Sequence, residues 1–167
     1  PQQPTGAKTI ESNAEWLGGF ETWDNDTPLR DDEVELPFFR EVELAAGNGR
    51  SEIIENHGLK LRFAKSTLKK QNVDPASAAC VTVSGNSMEP VLPDGATIGI
   101  DTSKRQIKDG DIYAIDHDGH LRVKVLYRLP GGKVRLRSFN SDEWPDELVT
   151  QDEFKILGRV FWWSVLR

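Results

Sequence analysis

Apolar and polar residues alternate along much of this chain, and a helical period is rarely sustained. Phe38, Phe39, Val42 and Leu44, interleaved with Arg40, Glu41 and Glu43, predict a strand just after Pro37. It runs into Ala45-Ala46-Gly47-Asn48-Gly49, five small or turn-prone residues with little steric cover for their backbone. Leu59, Leu61 and Phe63 alternate with Lys60 and Arg62, and residues 63–71 suit a short helix with its lysines outward. Further strands are expected over 79–84, 96–101, 111–116, 121–129, 133–139 and 154–166. Asp118-Gly119 favours a tight hairpin turn between His117 and His120, and Pro130-Gly131-Gly132 marks another. Many short strands and one or two short helices predict a mainly β, compact fold.

The first 35 residues differ. Pro1, Pro4, Gly6, Gly18, Gly19 and Pro28 interrupt them, Asp31-Asp32-Glu33 is an acidic run, and neither apolar period holds. Residues 1–36 therefore read as a largely irregular linker, with Trp16, Phe20 and Trp23 expected to dock on the domain that follows or to bind a partner. Residues 1–46 hold eleven Asp/Glu against Lys8, Arg30 and Arg40, whereas the remainder is slightly basic; the whole carries −6. That balance argues against a broad nucleic-acid-binding surface, and no helix-turn-helix pattern precedes residue 60. A DNA reader, if the protein has one, is expected outside this sequence. No apolar run reaches the ~18–20 residues of a membrane span. The single cysteine, Cys80, allows no internal disulfide and no multi-cysteine zinc site, which fits a reducing, cytoplasmic compartment. No cofactor or metal is expected.

Chemistry concentrates in two places. Ser84-Gly85-Asn86-Ser87-Met88-Glu89-Pro90 follows an apolar strand, and Gly85 and Asn86 tolerate the backbone angles of a sharp turn. Such a turn presents Ser87 with its own N–H and that of Asn86 on one side, as a nucleophile with an oxyanion hole requires. Equally, it suits an ordinary strand-to-helix turn, with Pro90 in the first helical turn. A serine needs a base. His57, His117 and His120 sit in loops or at a hairpin tip, where solvated turn residues are the plain reading, and His-x-x-His lacks an evident third metal ligand. Lys124 is the other choice. It faces away from the apolar side formed by Leu121, Val123, Val125 and Tyr127, yet Val123, Val125 and Leu126 crowd it. A lysine desolvated among such residues loses its proton near neutrality.

Ser-Gly-Asn-Ser-Met-Glu-Pro, then Leu-Pro-Asp-Gly, Lys-Asp-Gly-Asp-Ile-Tyr-Ala and Arg-Val-Lys-Val-Leu, with the lysine 37 residues after the serine, resemble the self-cleaving domain of LexA-like and lambdoid cI-type phage repressors. The resemblance covers residues 37–167 and implies a LexA/signal-peptidase-like β-rich fold. It implies Ser87 as nucleophile, Lys124 as base, and cleavage at Ala46-Gly47 in a loop of about 44–50. It further implies that a RecA–single-stranded DNA filament stimulates the cut. Operator DNA would be bound only through a missing N-terminal domain. The alternatives are a UmuD-like mutagenesis factor, which 46 residues before the bond make long for that group, and a non-cleaving oligomerisation module. A signal peptidase would need a membrane anchor.

The last apolar run, 160–166, has a Trp on each face if it alternates: Phe161, Trp163 and Val165 on one, Val160, Trp162, Ser164 and Leu166 on the other. It is expected either to be a central strand covered on both faces within one subunit, or to have one face or its edge covered by a second subunit. A homodimer, with higher oligomers as an extension, follows from the second choice and from the resemblance.

Overall fold

The computed structural model describes residues 10–15, 23–24, 26–43 and 51–166, with the side chains of Val42, Glu43 and His57 outside the description. Among the described residues nine strands form one sheet: β1 (Glu33–Glu43), β2 (Ser51–Ala64), β3 (Ala78–Thr82), β4 (Thr97–Asp101), β5 (Ile112–His117), β6 (His120–Leu129), β7 (Lys133–Arg137), β8 (Glu147–Thr150) and β9 (Lys155–Ser164). Their spatial order is β2-β1-β3-β4-β9-β5-β6-β7-β8. One α-helix, α1 (Lys65–Lys70), follows β2 and buries Leu68. The expected mainly β fold is therefore present, with the short helix inside the predicted 63–71 window.

The first strand begins at Glu33, four residues before the expected boundary at Pro37. Burial is the reason: Leu36 is wholly inaccessible, packed with Phe63, Leu68, Val73, Ala78 and Cys80. Residues 33–36 thus belong to the folded body rather than to the linker. β2 likewise extends well before the Leu59–Phe63 alternation, because β1 pairs with it antiparallel from Glu33↔Ala64 to Glu43↔Ser51. A bulge opposite Pro37/Phe38 shifts that register, which is why period-2 reading lost the strand near Gly58.

The linker docks where it is described. Arg62 on β2 stacks on Trp23, 4.8 Å from the ring centroid, and donates to the carbonyls of Asp24, Thr27 and Pro28. Trp23 thus meets the expectation of docking. Trp16 and Phe20 lie outside the described residues.

The turn between β5 and β6 lies against the β1–β2 hairpin. Between β5 and β6, Asp118 and Gly119 both take positive φ, 54° and 79°, as expected for this hairpin. A Cβ on Gly119 would stand 2.0 Å from the Ser51 carbonyl oxygen, so this turn presses directly on the start of β2. Beside it Glu41 accepts from the Leu121 N–H at 3.2 Å and pairs with His120 Nδ1 at 2.8 Å. These contacts tie the end of the β1–β2 hairpin that leads into residues 44–50 to β6.

β9 is central, antiparallel to both β4 and β5. The expectation that a second subunit covers its edge is therefore corrected: both edges are paired within the chain. The simple alternation fails too. A bulge at Gly99/Ile100 leaves Phe161 unpaired on β9, so that Phe161 and Trp162 both join the cluster around Phe63. Trp163 remains 45% exposed, next to exposed Val165 and Leu166.

Candidate functional site

Ser87 lies just beyond β3, on a turn built by Gly85 and closed by side chains. Gly85 has φ of 78°, and its N–H donates to Asp94 Oδ1 at 2.8 Å. The chain then runs through successive turns, with the Leu92 N–H on the Met88 carbonyl at 2.8 Å and Met88 and Leu92 buried in the central core. No helix forms there, contrary to the strand-to-helix reading. Pro93 lacks the backbone donor that such a helix would use in its next turn. Ser87 itself is half-buried.

Lys124 sits in the middle of β6 and is only 4% exposed. The strand is buried on both faces at this point: Val123 and Val125 enter the central core, and Leu126 enters the cluster of Tyr113, Ile115, Val134 and Leu136. Lys124 shares the Leu126 side, as alternation predicts, but that side is covered rather than solvated. Desolvation brings its pKa down to about 8; the nearby Arg122 guanidinium lowers it too, while Glu147 works the other way. Its Nζ donates to Ser138 Oγ at 2.6 Å. Ser138 is itself buried, at the end of β7.

Ser87 and Lys124 line one cleft of about 530 Å³. Its walls are the 82–88 turn, the start of β6 from Leu121 to Lys124, and the β1 residues Phe38, Phe39, Arg40 and Glu41, with Asn56, Leu59 and Trp144 completing the rim. Asn86 is fixed from across the cleft. Its amide donates to Glu143 Oε2 at 2.7 Å and accepts from Trp144 Nε1 at 2.8 Å. Asn140 anchors the same turn, its N–H on the Ser87 carbonyl at 3.0 Å and its side chain on the Asn86 carbonyl at 3.3 Å. The Trp144 ring lies 5.8 Å from Lys124 Nζ, a contact that favours the charged amine and opposes desolvation.

The structure thus brings together Ser87, Asn86 and Lys124. Ala46 and Gly47 lie outside the described residues, which bracket them: Glu43 and Ser51 are cross-strand partners, with seven residues between. His117 and His120 take other roles. His117 contacts Arg122, and His120 holds Glu41. Sequence reading missed Ser138, Asn140 and Trp144. Their short polar run carries no motif, and only the turn after β7 aims it at the serine.

A half-buried serine on a glycine turn and a desolvated lysine thus line one cleft of the single sheet. The chain belongs to the peptidase S24-like family, whose model matches residues 37–161. It is 54% identical over 150 residues to the HTH-type transcriptional regulator PrtR of Pseudomonas aeruginosa, covering 87% of this chain and 59% of that protein. It is 47% identical over 166 residues to the repressor protein CI of Enterobacteria phage phi80, covering 96% of this chain and 70% of that protein. This chain therefore corresponds to only part of either relative. Among the described residues no helix is long and apolar enough to cross a membrane.

Proposed function

We propose that this chain is the self-cleaving and dimerising part of a phage-type transcriptional repressor, and that it cuts itself at Ala46-Gly47. The observation that supports this most is the state of Lys124: buried, depressed to about 8, hydrogen-bonded to Ser138, and in the same cleft as Ser87. A solvated strand lysine would have none of these properties. The cleft also includes the β1 residues that lead into the 44–50 segment.

The neutral Lys124 amine takes the Ser87 proton as Ser87 Oγ attacks the Ala46 carbonyl carbon. The N–H groups of Ser87 and Asn86 stabilise the oxyanion. The ammonium of Lys124 then protonates the Gly47 nitrogen, which leaves as an amine. Water, deprotonated by Lys124, hydrolyses the Ser87–Ala46 ester and restores the serine. The reaction occurs once per chain. Holding Asn86 and Ser87 from both sides of the turn is what the Asn140–Trp144 segment contributes.

In this reading operator DNA is bound by a domain upstream of the linker, a RecA–single-stranded DNA filament promotes the cleavage-competent state, and two copies associate through this part of the protein. The family resemblance supports these roles, and the names of the two relatives support a role in transcriptional regulation, that of the phi80 protein a repressor role. Mass spectrometry after incubation at pH 9–10 tests the central claim. Two fragments that divide after residue 46 are expected; an intact chain would favour a non-cleaving oligomerisation module.

A further inference from the structure

The strand immediately upstream of the proposed cut is built into the body downstream of it. β1 fills the space between β2 and β3, antiparallel to the first along eleven residues and parallel to the second at Phe38↔Cys80 and Phe39↔Val81. Leu36 from β1 is fully buried in a cluster whose other buried members, Phe63, Leu68, Val73, Ala78 and Cys80, all lie after residue 60. Glu35 pairs with Lys60 and Arg62, and Glu41 with His120. Further upstream Lys65 Nζ donates to the Asp31 carbonyl at 2.7 Å, and Arg62 grips Trp23 and three linker carbonyls. All of these contacts cross the proposed scission point, and none needs the 44–50 backbone to be continuous.

We infer that the β2–β3 groove is a strand-acceptor site whose ligand is the chain's own upstream segment, residues 23–43, and that this segment stays bound after the bond in 44–50 is broken. The inference rests on the proposed self-cleavage for its biological meaning, though not for its physics. Breaking one peptide bond removes the covalent tie. The ladder hydrogen bonds, the Leu36 burial and the Arg62 clamp remain, and all of them must be lost together for β1 to leave. Scission and separation are then two steps. The repressor's two halves part only when β1 peels away, and that also removes the Phe38–Glu41 wall of the cleft.

Cys80 reports the second step. It is the only cysteine in the chain, fully buried in the Leu36 cluster beside Phe38, and burial pushes its thiol up to about 12. It should resist alkylation while β1 is seated and react once β1 has gone. The test uses the whole chain carrying Ser87→Ala, with residues 44–50 replaced by the recognition sequence of a site-specific protease. The cut is thereby made independently of the dyad. After complete nicking, the two fragments are expected to co-elute on size exclusion, to appear as one species in native mass spectrometry, and to leave Cys80 unreactive to iodoacetamide. Prompt separation with a reactive Cys80 would overturn the inference. Leu36→Ala should shorten the lifetime of the nicked complex at least tenfold; if that variant fails to fold before nicking, Arg62→Gln should shorten it severalfold, and an unchanged lifetime in the variant that folds would count against the groove. Failure of the unmodified chain to cleave itself at alkaline pH would instead overturn the proposed function, and the retention result would stand.

Discussion

In the proposed mechanism Lys124 serves as the base because its surroundings oppose its charge. Its pKa of about 8 means that the cleavage rate should rise with pH through about 8 and level above it, as the neutral base becomes the major form. A rate flat between pH 6 and 10, followed by gel densitometry, would exclude lysine as the base. Stability should follow the same titration. The folded state holds its lysine proton less tightly than the unfolded chain does, so unfolding free energy should climb between about 8 and the ordinary lysine pKa of ~10.4. Below about 8 the full penalty applies, so Lys124→Met should stabilise the fold at pH 7 by roughly 1–3 kcal/mol in denaturant melts. Ser87→Ala should leave the chain intact at pH 9–10 with stability within about 0.5 kcal/mol of the parent. Ser138→Ala should slow cleavage roughly ten- to hundredfold, the equivalent of a ~1.5–3 kcal/mol hydrogen bond to a charged group. The serine and the lysine were both legible in the sequence. Ser138 was not, because a serine at a strand end has many ordinary uses and its partner lies fourteen residues away on a neighbouring strand.

Among the elements, the β5–β6 hairpin and the segment after β7 do what no isolated motif does. Gly119 must be glycine twice over, for its φ of 79° and for the Ser51 carbonyl that a Cβ would meet at 2.0 Å. Gly119→Ala should therefore destabilise by roughly 2 kcal/mol or more and should also slow cleavage, since the hairpin end that leads into 44–50 must shift; thermal melts and alkaline incubation measure the two effects. Trp144→Ala removes both the Asn86 contact and the ring near Lys124. Losing the ring should move the pH midpoint of cleavage downward, while loosening of the serine turn should lower the plateau rate. The Asp118-Gly119 turn could be read from two residues. The long β2 could not, because its bulge breaks the alternation by which strands are recognised.

At the scale of the whole molecule, β9 determines which surface is left for association. With both edges paired and Phe161 and Trp162 turned inward, Trp163, Val165 and Leu166 remain exposed near the chain's end. Large apolar side chains grouped on a surface mark contact sites, and the proposed homodimer is expected to use them. Sedimentation should give a dimer at micromolar concentration, and Trp163→Ala should shift it toward the 18.7 kDa monomer. Trp162→Ala should act mainly on stability, because that ring packs edge-on against Phe63 at 4.6 Å between centroids. A monomer at every concentration would refute dimerisation through this part of the protein.

Local chemistry was determined by the sequence alone: strand alternation, the Asp-Gly and Gly-Gly turns, the glycine turn that carries Ser87, and a lysine flanked by branched apolar residues. Each depends on near neighbours in the chain, where backbone preference and periodicity act directly. Tertiary structure decided everything that depends on which surface covers which. It buried Leu36 and so moved the domain boundary to Glu33, and it covered the nominally polar side of β6 and so lowered the Lys124 pKa. It also brought Ser138 to that lysine and Asn140 and Trp144 to the serine turn, and it used the β9 bulge to turn Phe161 inward. Desolvation and cross-strand contact are properties of assembled surfaces, and a pattern of alternating residues says which faces exist without saying what will lie against them.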